Sequence, residues 1–197
     1  LTALDTADWN TGSVVDMGYM FYQCGNLETV NVSDWDVSKV QSFKGTFYGC
    51  PKLNGLDVSD WNTSNATRMD MMFYGDYSLE YLDVSDWDVS KVEHFGWIFA
   101  SMNQNKGDMK LQNLDLSAWN PVSATSIGAM FYGCGSMTEL DLSGWNMPKL
   151  TDASHMFADC FKLQTLDVSG WQTPSLVTMD GMFNDCRVLQ SLDMSSF

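Results

Sequence analysis

Apolar residues return along this chain in two alternating rhythms. In Leu53-Asn54-Gly55-Leu56-Asp57-Val58-Ser59-Asp60-Trp61, Leu56 and Val58 flank a single acid. That alternation is the period-2 mark of a strand with one buried face. Leu27, Val30, Val32 and Trp35 repeat it, as do Leu111, Leu114, Leu116 and Trp119. After the Trp comes turn chemistry, as in Asn62-Thr63-Ser64 or Asn146-Met147-Pro148. Apolar residues then step by three and four, as in Val14, Met17, Met20, Phe21 and Cys24. Such steps put them on one face of a helical turn. The segment is short, and Gly45, Gly96, Gly128 and Gly181 interrupt it. A single α or 3₁₀ turn is therefore expected rather than a long helix.

The two rhythms make one unit. Trp9, Trp35, Trp61 and Trp87 fall 26 residues apart, and Trp119, Trp145 and Trp171 resume after one 32-residue step. Phe21, Phe47, Phe73, Phe99, Phe131, Phe157 and Phe183 follow the same comb, and Phe197 stands where an eighth Trp would fall. A fixed period of this size signals stacked repeats that pack only on their neighbours, so no domain boundary is needed. The expected fold is a repeat solenoid over 1–197, of seven repeats and a partial eighth. It reads as a right-handed leucine-rich-repeat-type coil, with one parallel β-sheet and short α or 3₁₀ turns on the other face. A six-residue insertion within 100–110 is mostly polar and reads as a surface loop.

Stacking turns each repeated residue into a column, with neighbours about 4.8 Å apart along the strands. Phe forms the interior spine, aided by Trp and Met. Cys24, Cys50, Cys134, Cys160 and Cys186 form another column, in which Asp76 and Met102 replace two members. Paired C-x-x-C spacing is absent, which argues against a metal site. Disulfides between stacked neighbours have geometric room, but an odd count and two interruptions favour buried free thiols.

The outward column is acidic. Asp5, Asp57, Asp83, Asp115, Asp141, Asp167 and Asp193 lie between two inward positions, with Asn31 breaking the row. Two carboxylates about 5 Å apart repel by roughly 0.8 kcal/mol in water, so the row needs compensation. The Ser two residues on, such as Ser59 or Ser143, supplies hydroxyls locally. Cations are the other source, since carboxylate oxygens suit Ca²⁺. Asp60 and Asp86, beside the Trp, are candidate weak Ca²⁺ ligands, though no D-x-D-x-D-G loop occurs. We take Asp57, Asp83, Asp115, Asp141 and Asp167 as the candidate binding row.

Charge narrows the partners. A net charge of −15 disfavours nucleic acid, whose backbone attracts Lys and Arg. No apolar run reaches the roughly 18 residues of a membrane span, so membrane insertion is not expected. His94 and His155 stand far apart, without a recurring nucleophile or acid, so an enzyme is not expected either. Asn62 and Asn65 head sequons and are glycosylation candidates if the source is eukaryotic.

The full unit, L-x-x-L-D-L-S-x-W-N-T-S-x-V-x-x-M-x-x-M-F-x-x-C, is well represented by the repeat from Met137 through Leu140, Asp141, Leu142, Trp145 and Asn146 to Met156, Phe157 and Cys160. This pattern resembles the BspA-like leucine-rich-repeat surface proteins, and it covers the whole chain. Asn31, Asp76, Met102, the insertion and Phe197 are its departures. The resemblance implies a non-catalytic extracellular or cell-surface repeat region acting in adhesion or protein or glycan binding. It carries no catalytic residues and no common ligand. The alternative is a structural subunit that stacks end to end into a fibre. Leu1 and Phe197 put core positions at both ends, so further repeats or head-to-tail self-association is expected.

Overall fold

The computed structural model describes residues 1–102, 109–190, 192 and 194. Residues 103–108 of the insertion, and Asp193, Ser195 and Phe197 of the partial eighth repeat, lie outside the described residues. Within each coil the alternation works as side-chain geometry demands. Leu53, Leu56 and Val58 are buried while Asp57 between them is exposed.

Among the described residues four short strands result. β1 (Ala3–Leu4) pairs in parallel with β2 (Thr29–Val30), and β3 (Glu139–Asp141) with β4 (Thr165–Asp167). Between the two pairs, single parallel bridges join Thr29 to Gly55 and Tyr81 to Asn113. The expected single sheet with a strand in every repeat is thus reduced to two small sheets and isolated bridges. Gly55 and Asn113 occupy the register that Thr29, Glu139 and Thr165 fill elsewhere, and both residue types are poor strand formers. A second, continuous ladder runs on the opposite side through Asp16, Ser42, Arg68, His94, Ser126, Asp152 and Thr178.

The expected α or 3₁₀ turns do not form among the described residues. The chain instead makes consecutive tight turns in which alternate amides serve different partners. Met20, Tyr22 and Cys24 donate three residues back, to the carbonyls of Met17, Tyr19 and Phe21 at 3.1–3.3 Å. Tyr19, Phe21 and Gln23 donate to Lys44, Thr46 and Tyr48 of the next coil at 2.7–2.8 Å. Sharing amides this way requires a left-handed residue in each coil. Tyr19 (φ 56°), Met71 (60°), Trp97 (64°), Ala129 (53°) and His155 (57°) supply it, alongside Gly45 and Gly181. Non-glycine residues take that conformation at roughly 1–2 kcal/mol each, offset here by the bonds to the neighbouring coil. At Gly45 a side chain is also excluded by packing, since a Cβ would lie 2.5 Å from the Tyr19 ring.

The interior is two aromatic stacks. Phe rings from Phe21 to Phe183 follow each other at 5.3–5.8 Å, within 13° of parallel. Trp rings from Trp9 to Trp171 follow at 5.7–6.5 Å. From Trp35 onward each indole also clamps the preceding coil. Trp61 Nε1 donates to the Val32 carbonyl at 3.0 Å, Trp87 to Val58 at 3.0 Å, and Trp119 to Val84 at 2.9 Å. Trp145 and Trp171 do the same to Leu116 and Leu142. Each of these carbonyls also accepts the amide three residues on in its own coil, so the indole adds a second donor from the next coil.

The cysteines serve the same purpose with a weaker donor. All five are free. The thiols of Cys50, Cys134, Cys160 and Cys186 point at the carbonyls of Phe21, Phe99, Phe131 and Phe157 at 3.0–3.2 Å. Burial pushes the Cys50 thiol up to about 12 and raises Cys160 as well. Native protein should therefore react slowly with thiol reagents, faster at half-buried Cys24 and Cys186. Denatured without reductant, it should titrate close to five thiols; two or fewer would show that disulfides form.

Candidate functional site

The acidic column sits on the strand side, and its local chemistry is uniform. Asp57, Asp83 and Asp115 each accept on Oδ1 from both the hydroxyl and the amide of the Ser two residues on. The hydroxyl bonds measure 2.7–2.8 Å and the amide bonds 3.0–3.2 Å. Asp141 and Asp167 accept the amides of Ser143 and Ser169 at 2.9 Å, and Asp5 accepts that of Ala7 at 3.1 Å. These are Asx turns. The Ser hydroxyl first, and the Ser amide second, hold the Asp83 and Asp115 carboxyls below their usual range. Both therefore stay ionised at neutral pH.

The row lines two depressions. In the second half, Asp115, Glu139, Asp141 and Asp167 surround a shallow groove of about 890 Å³, floored by Leu114, Leu140 and Leu166. In the first half, Val30, Gly55, Leu56, Asp57, Tyr81 and Asp83 line a notch of about 450 Å³. The structure thus groups Asp115, Asp141 and Asp167 in one place and Asp57 with Asp83 in another. Glu139, Gly55 and Tyr81 belong to these depressions and were not singled out from sequence. Their common register, two residues after the opening Leu or Met, is the signal that would have found them.

Other candidate residues fall elsewhere. Asp60 and Asp86 are exposed. Among the described residues no three His, Cys, Asp or Glu side chains converge as a metal site would require. Asn62 Oδ1 accepts the Ser64 amide, while Asn65 bonds the Ser38 carbonyl and Lys91 through its two amide atoms. His94 lies on the second ladder between Arg68 and Ser126, and the His155 ring covers Gly181.

Comparison with known proteins now bears on this geometry. One family model, described as "Mycoplasma protein of unknown function, DUF285", matches residues 2–113 and 100–197. The chain belongs to the DUF285 family. Among solved structures, the Treponema pallidum leucine-rich-repeat protein is similar at 20% identity with a TM-score of 0.57. That match covers 96% of this chain and 78% of the other. A Bacteroides ovatus leucine-rich-repeat protein is similar at 16% identity, covering 98% and 67%, with a TM-score of 0.28. No curated protein matches the chain. The DUF285 match and the leucine-rich-repeat fold bear out the BspA-like resemblance of the repeat. No helix among the described residues is long and apolar enough to cross a membrane.

Proposed function

We propose that this DUF285 chain is a non-catalytic extracellular or cell-surface region that binds a protein or glycan ligand through its strand side, in adhesion. The observation that carries the reading is the acidic groove of Asp115, Glu139, Asp141 and Asp167, open to solvent over a leucine floor. Asp115, Asp141 and Asp167 each accept a backbone amide within their own repeat, which pre-organises these three carboxylates. Pre-organisation lowers the cost of binding. Ca²⁺ bridging of the row, or of Asp60 and Asp86, is a further proposal.

Beads coated with the chain, presented to immobilised extracellular-matrix proteins and a glycan panel, test it. The triple variant Asp115→Asn, Asp141→Asn, Asp167→Asn should capture at least ~10-fold less of whichever surface the parent holds. Equal capture by both would overturn the assignment of the face, and loss with chelator alone would point to Ca²⁺.

A second reading is end-to-end stacking. Trp9, Val15, Tyr19 and Met20 stand exposed on the first coil, and Val177 and Met179 on the last. These surfaces would meet either copies of the chain or further coils of the same polypeptide. Sedimentation that rises with concentration would favour copies.

A further inference from the structure

We propose that the notch between Gly55 and Tyr81 receives a lysine or arginine side chain of a protein partner. The cation would lie against the Tyr81 ring and between the Asp57 and Asp83 carboxylates. The proposal rests on the strand side being the binding face and narrows what it binds.

The notch exists because one side chain is missing and the next is oversized. A Cβ on Gly55 would meet no atom within 4 Å, so the space above it is open. One coil on, Tyr81 is 68% exposed, an unusual placement for so large a ring. Among the described residues no bridge joins Gly55 to Tyr81, whereas Gly55 bridges Thr29 and Tyr81 bridges Asn113. Leu56 and Val30 form an apolar floor that suits the methylene stem of a long basic side chain.

The walls suit its charged end. The Tyr81 hydroxyl lies 3.4 Å from Asp83 Oδ2 and donates to it, which sets the ring beside the carboxylate. Asp57 and Asp83 both accept on Oδ1 from the Ser59 and Ser85 hydroxyls, and among the described residues nothing donates to Asp57 Oδ2. Among the described residues neither acid forms an ion pair, and the nearby Lys110 is committed to Glu80 at 3.0 Å. An aromatic face next to uncompensated carboxylates attracts a cation twice, by the ring quadrupole and by charge. A neutral sugar would satisfy the ring and leave the charge uncompensated. A volume of about 450 Å³ lies within the usual range of ligand pockets.

Hexaarginine is the probe, titrated at low salt while Tyr81 ring and Gly55 amide resonances are followed by NMR. The expected result is saturable shifts at both residues. Tyr81→Leu, which keeps the charge but removes the ring, should weaken binding ~5-fold, and Tyr81→Phe, which keeps the ring but loses the hydroxyl bond to Asp83, should bind more tightly than Tyr81→Leu. Because Tyr81 is exposed, both variants should melt like the parent. Equal binding by Tyr81→Leu would overturn the proposal, as would shifts produced by neutral cellohexaose and not by hexaarginine. Shifts confined to the groove of Asp115, Asp141 and Asp167 would overturn the notch while leaving the strand side as the binding face.

Discussion

Phe73→Ala should lower the unfolding free energy by about 3–5 kcal/mol, the range for deleting a large ring from a packed core. Phe73 is fully buried and stacks on Phe47 and Phe99 at 5.8 Å on either side. Its loss opens both interfaces of its own coil at once. In a solenoid, stability is a sum of repeat and nearest-neighbour interface contributions, so the damage should not stay local. Total stability of ordinary domains is about 5–15 kcal/mol, and the variant should therefore melt far below the parent. Urea unfolding followed by Trp fluorescence measures it. A change no larger than that of Ser13→Ala, at an exposed position, would contradict the spine.

The second large effect is a gain. Asp76 takes the place of Cys in its column and is fully buried. Its Oδ1 accepts the Cys50 amide at 2.7 Å, while among the described residues its Oδ2 has no hydrogen-bond partner. Equivalent cysteines offer a thiol to the Phe carbonyl of the preceding coil. Asp76→Cys should thus stabilise the fold by the cost of an unsatisfied buried polar group, about 1–3 kcal/mol, less about 1 kcal/mol for the Cys50 amide bond it gives up. Burial first of all raises the Asp76 carboxyl well above its ordinary value, against the smaller opposing pull of the Cys50 amide. The folded chain therefore binds a proton that the unfolded chain releases above about pH 4. Parent stability should fall relative to Asp76→Cys as pH rises from there to the folded pKa, then level off. Cys50 and Tyr77, the titratable neighbours, are both raised by burial and contribute only at alkaline pH. Parallel melting curves across acid and neutral pH would refute the assignment.

Asp76 also shows where sequence reading stopped. The column position was plain from the 26-residue comb, but not that a carboxyl there would turn into the core and lose half its bonds. The aromatic and leucine columns were legible because burial and period coincide through the interior repeats. The turn face was misread for a physical reason. Steps of three and four arise from a helical turn, but also from successive i→i+3 turns punctuated by left-handed residues. With Tyr19, Trp97 or His155 at the left-handed position, glycine gave no reliable sign of it. The indole bonds of Trp61 and Trp145 were equally hidden, since a Trp column reads as apolar bulk whether or not its N–H has a partner. The acidic row could be read residue by residue. Its division into a groove and a notch could not, because Gly55 and Tyr81 break no rule taken singly.

Two adjacent residues test most directly the claim that the acidic row faces outward from the strand side while the next residue is core. Asp141 is exposed and Leu142 fully buried. Asp141→Cys and Leu142→Cys, each alkylated natively with iodoacetamide and mapped by peptide mass spectrometry, separate the two faces. The thiol at position 141 should react at nearly the rate of an unfolded peptide. That at 142 should react at least ~100-fold more slowly, limited by opening of the coil. Protection at 141 with free reaction at 142 would shift the register by one residue, put the carboxylates in the core, and contradict the account.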